Sequence, residues 1–123
     1  MKIFCTLLAF ALTLANTNVL ASDATPLETT RFKTVSDALV VLQSRSDVSY
    51  KAARPGGMVM ANYSAPFSTW SFVPKEHYAY PAVVKREVKQ RDSGEMYIEV
   101  SALCQAEKLR CEKLMDEFEL EQQ

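Results

Sequence analysis

Val83-Val84-Lys85-Arg86-Glu87-Val88-Lys89-Gln90 and Glu95-Met96-Tyr97-Ile98-Glu99-Val100-Ser101-Ala102-Leu103, joined by Arg91-Asp92-Ser93-Gly94, are the stretch that decides the fold. In the second half Met96, Ile98, Val100 and Ala102 alternate with Tyr97, Glu99 and Ser101. That is the period of two expected of a strand buried on one face. The joining residues are those a hairpin turn selects, glycine among them. The reading is an antiparallel hairpin in which Val84 and Val88 share the buried face. Arg86 interrupts that face and must reach solvent or an acceptor.

Working upstream, Val48 and Tyr50 alternate against Ser49 and Lys51 before Arg54-Pro55-Gly56-Gly57 breaks the chain, which reads as a strand and then a turn. Met58–Tyr63 and Thr69–Val73 read as two further short strands. Before them Val35, Ala38, Leu39 and Leu42 fall at helical spacing behind Thr34 and Asp37, a capping box with an acidic residue in the Glu/Gln place. This predicts a helix over 35–45. Downstream of the hairpin the period returns to 3.6, and Cys111, Leu114, Met115 and Phe118 line one side of a charged helix over 106–121. The expected architecture is α+β: a two-layer sandwich in which an antiparallel sheet of three or four strands carries the N-terminal and C-terminal helices on one face.

The N-terminus reads differently. Lys2 precedes an uncharged apolar run from Ile3 to Leu14, and Asn16-Thr17-Asn18 leads to Val19-Leu20-Ala21. Positive start, short apolar core and small residues make a signal peptide over 1–21, with cleavage expected after Ala21. The run is too short for a permanent transmembrane anchor, so a soluble periplasmic protein is expected, with secretion from the cell as the alternative. Residues 22–33 are polar around Pro26 and read as a flexible leader with few contacts. Residues 34–121 are then one small domain. Loss of Lys2 with the signal leaves 13 basic against 15 acidic side chains. That balance gives no reason to expect a nucleic-acid partner, which calls for a strongly basic face.

Cys5 leaves with the signal, so Cys104 and Cys111 remain, and an even pair in an exported chain predicts a disulfide. On one unbroken helix the two Cα atoms would stand about 10.5 Å apart, too far to bridge. A bend over Gln105–Lys108 is therefore required. Six intervening residues do not fit a catalytic dithiol, and one histidine with two thiols does not complete a tetrahedral metal site. No cofactor motif is present in the sequence.

The candidate functional segment is Trp70-Ser71-Phe72-Val73-Pro74-Lys75-Glu76-His77-Tyr78-Ala79-Tyr80-Pro81, which holds the one Trp, the one His and two of the five Tyr. Trp70 and Phe72 are read as core residues of a strand. His77, Tyr78, Tyr80, Lys85 and Arg86 are the candidate binding residues, because tyrosines give large contact area and basic neighbours attract an anionic partner. The expected function is a non-enzymatic binding or inhibitor-type module, engaging another envelope protein or an anionic envelope component. Two alternatives stand beside it: an enzyme working through His77, and a structural protein assembling through a sheet edge. Glu76 would point away from His77 in an extended segment, and no orienting third group for a nucleophile such as Ser71 is visible.

Taken together, Trp70-Ser71-Phe72-Val73-Pro74, His77, Tyr80-Pro81-Ala82-Val83-Val84-Lys85-Arg86, the hairpin and the Cys104…Cys111 pair resemble small exported proteins of Gram-negative bacteria over about residues 69–118. The resemblance implies a periplasmic location and carries no activity, ligand or partner with it.

Overall fold

Nine consecutive residue pairs, from Ala82 opposite Cys104 to Gln90 opposite Met96, join strand β4 (Ala82–Gln90) to strand β5 (Met96–Cys104) without a bulge. Gly94 closes the hairpin at φ +88°, a conformation that side chains other than glycine rarely adopt. Its N–H donates to the Arg91 carbonyl at 2.9 Å, and Arg91 N–H donates to the Glu95 carbonyl at 2.9 Å. The computed structural model describes residues 27–51, 57–64 and 67–121, the side chains of 63 and 64 excepted. The expected signal peptide, the cleavage point, residues 22–26 of the leader and the Arg54-Pro55-Gly56 break lie outside the described residues.

Three further strands, β1 (Val48–Lys51), β2 (Val59–Ser64) and β3 (Phe67–Phe72), extend the hairpin into one antiparallel meander in the order β1-β2-β3-β4-β5. The sheet thus has five strands rather than three or four. Each segment read as a strand from its pattern is present, and the total undercounted them. The shortest is β1, whose four residues pair with β2 from Val48 opposite Tyr63 to Lys51 opposite Met60.

Helix α1 (Val35–Gln43) starts as its sequence predicts. Asp37 N–H donates to Thr34 Oγ1 at 3.1 Å, and Thr34 N–H donates to Asp37 Oδ2 at 3.2 Å. Val35, Ala38 and Leu42 bury against Ala61, Trp70, Phe72 and Val83. Helix α2 (Lys108–Leu120) buries Leu114 and Phe118 against Val73, Ala79, Ala82 and Val84. Val83 and Val84 are neighbours in one strand and so point to opposite sides.

The two helices therefore cover opposite faces of the sheet, and the two-layer expectation gives way to three layers. The physical reason is legible in β4, where Ala82-Val83-Val84 is an unbroken apolar run that belongs to a strand buried on both sides.

The segment before α1 is also part of the core, where the sequence predicted a loose leader. Leu27 and Thr29 are buried, a single 3-10 turn spans Thr29–Arg31, and the Phe32 ring meets Trp70 edge to face with centroids 5.9 Å apart. Among the described residues no helix is long and apolar enough to cross a membrane.

Candidate functional site

Consecutive turns build the loop from Val73 to Pro81. Val73 N–H donates to the Ala82 carbonyl, His77 N–H to Pro74 and Tyr80 N–H to His77, and the Tyr80–Pro81 peptide is cis. The loop holds its own aromatic residues in distinct roles. His77 Nδ1 accepts the Ala79 N–H at 3.1 Å, and its ring leans on Tyr78 with centroids 4.3 Å apart. Tyr78 reaches to α2, donating its hydroxyl to Glu117 Oε2 at 2.6 Å beneath the Lys113 ammonium, 4.4 Å from the ring centroid. Partial removal from water, then the bond to Glu117 and its negative charge, push the Tyr78 hydroxyl up from 10.0 to about 12.

The five residues selected from the sequence do not converge on one surface. Lys85 is 2 % exposed, on the α1 face, in ion contact with Glu87 and 3.4 Å from Glu28. Its Nζ also sits 5.8 Å from the centre of the Trp70 ring. Arg86 points the other way, lying over Phe118 at 4.7 Å and pairing with Glu121 at the end of α2. Both cations of the expected basic patch are therefore committed to internal partners. His77 and Tyr78 stay together beside α2. Tyr80 turns to a different place, half exposed at the rim of a cleft.

That cleft, about 610 Å³, lies between the N-terminal half of α1 and the 73–81 loop. Its walls are Val35 and Leu39 from α1, Val59 and Phe72 from the sheet, and Val73, Pro74, Tyr80 and Pro81 from the loop. Thr34, Ser36, Gln43 and Gln105 supply the polar rim, and among the described lining residues none is charged. Gln105 also fixes the mouth, since its side-chain carbonyl accepts the Val35 N–H at 2.8 Å and its own N–H donates to the Pro81 carbonyl at 2.8 Å. Volume and lining are those of a site for apolar groups positioned by a few polar ones. Sequence reasoning found Tyr80 and missed the rest, because the cleft is assembled from segments up to seventy residues apart.

Cys104 closes β5 and Cys111 lies in the first turns of α2, with Cα atoms 5.9 Å and sulfurs 2.07 Å apart. The pair is at disulfide distance, and Gln105–Glu107 provide the bend that the spacing demanded. Among the described residues no group of three His, Cys, Asp or Glu side chains is placed to hold a metal ion.

Comparison with protein-family models, with curated proteins and with solved structures returns no match to this chain.

Proposed function

We propose that the protein is an exported, non-enzymatic binding module whose site is the apolar cleft between α1 and the 73–81 loop, and whose partner is an apolar segment of another envelope protein. The observation that carries this reading is that the described residues lining the cleft are uncharged, beside the half-exposed Tyr80 ring. An aromatic ring at the mouth of an apolar hollow offers contact area at small loss of rotamer freedom. An anionic component is the weaker choice, because Lys85 and Arg86 already neutralise Glu87, Glu28 and Glu121. Catalysis through His77 is weaker too, since Nδ1 serves the Ala79 amide as a loop brace. Export remains part of the proposal, supported by the signal-like N-terminus and by the cysteine pair.

The test is capture from a periplasmic extract with the exported protein as bait. Val59→Lys and Tyr80→Ala, both at exposed rim positions, should each lose the captured protein while keeping the wild-type circular dichroism and melting point. Capture that survives both changes would remove the cleft as the site.

A further inference from the structure

We propose that β5 is a self-association edge, along which two copies of the chain pair antiparallel about a two-fold axis at Val100 to make one continuous sheet. β5 ends the strand order, with β4 as its neighbour. Two backbone hydrogen bonds, from Arg91 N–H to Glu95 and from Gln105 N–H to Pro81, bracket the bulge-free ladder. Both place the odd-numbered residues of β5 in the bonded positions toward β4. Met96, Ile98, Val100, Ala102 and Cys104 accordingly turn their N–H and C=O groups outward. Among the described residues none donates to or accepts from those outward groups.

Apart from the Thr29–Arg31 turn, which packs near β5, this edge has few of the devices that ordinarily blunt one. It is nine residues long, runs without Pro, Gly or Lys, and its one charge, Glu99, points to the α1 face and pairs with Lys89 at 2.7 Å. The opposite edge, β1, is four residues long.

A second copy fits because the strand is self-complementary. Val100 is the middle residue of Met96–Cys104 and is itself an outward one, so an axis there matches the whole strand to its copy. Ile98 then faces Ala102 of the second copy, Met96 faces Cys104, Tyr97 faces Leu103 and Glu99 faces Ser101. No like charges oppose each other, whereas an axis one residue earlier would set two Glu99 carboxylates face to face. Exposed apolar surface is matched as well. Met96 and Ile98 are 57 % and 46 % exposed, while Ala102, Cys104, Cys111 and Met115 at the other end form the apolar part of a hollow of about 410 Å³ whose rim carries Lys108, Glu112 and Asp116. The register brings Met96 and Ile98 of each copy to the hollow of the other.

Sedimentation velocity of the exported, processed protein over a concentration series should show a shift from monomer to twice the monomer mass. Over the same series the amides of Ile98, Val100 and Ala102 should pass from fast to slow hydrogen exchange, while those of Tyr97, Glu99 and Ser101 stay slow throughout. Ile98→Pro removes an outward donor without touching the ladder to β4 and should leave monomer, and Ile98→Lys should do so with the backbone unaltered. Val40→Lys, an exposed apolar position on α1 and on the other side of the sheet, should leave the dimer intact. Monomer at every concentration, a dimer that persists in both Ile98 variants, or one lost equally in Val40→Lys would overturn the proposal.

Discussion

Lys85 and Arg86 are adjacent in sequence and sit on opposite faces of the sheet, each with a carboxylate partner. A run of cations in a strand is thus divided between two faces, and this is why Lys85 and Arg86 do not share one basic surface. Burial of Lys85 with Glu87 makes their pairing sensitive to removal of either member. Lys85→Met should destabilise the protein by about 3 kcal/mol, because it removes the cation in contact with the buried Glu87 carboxylate and leaves it opposite Glu99, with only Lys89, already paired with Glu99, on its other side. Lys85→Met combined with Glu87→Leu should recover most of that loss, and urea midpoints of the three proteins measure both effects. Tyr78 yields a second expectation. Its folded-state titration lies near 12, above the ordinary 10.0, so the neutral hydroxyl is the form that folding favours. The stability it contributes is complete below pH 10 and is lost as the pH rises through about 12. Tyrosinate absorbance should show one late-titrating tyrosine assignable by Tyr78→Phe, and Glu117→Gln should bring its titration down part of the way, since burial remains.

Among the elements, those with a strong period or cap were legible to within a few residues. Thr34 and Asp37 make the two reciprocal bonds that their spacing implies, and the hairpin closes at Gly94. Element faces were harder to read than element positions. Met96 and Ile98 continue the apolar parity of β5 yet remain exposed, because α2 covers the part of that face near Cys104 and stops short of the hairpin turn. Thr34→Ala should cost about 1 kcal/mol by leaving the Asp37 N–H without its side-chain acceptor. The cysteine pair anchors α2 to β5 across an eight-residue loop, a closure that contributes about 2.5 kcal/mol on the chain-entropy model. Replacing both cysteines by serine should lower the urea midpoint accordingly, and a reductant should then shift the wild type but leave the double variant unchanged.

At the scale of the whole molecule, a central sheet needs cover on both sides, and the chain provides it asymmetrically. One side is closed by α2, tethered through Cys104–Cys111, Tyr78–Glu117 and Arg86–Glu121. The other side is closed by α1 together with the segment Leu27–Phe32, which the sequence presented as a polar leader. Only Leu27 and Phe32 in that stretch are large and apolar, too few to show a period, so their packing could not be read before the sheet face that receives them was known. Their contribution follows from what they touch: Leu27 lies in the α1-side core, Phe32 meets Trp70, and Glu28 approaches the buried Lys85. A chain beginning at Lys33 should therefore be far less stable than one beginning at Leu27, since it uncovers Trp70 and removes one carboxylate from Lys85 at the same time. Leu27→Ala alone should cost about 2 kcal/mol, because burial of a leucine side chain is lost and a cavity remains. Equal denaturation midpoints for chains starting at Leu27 and at Lys33 would show that α1 by itself closes this face of the sheet.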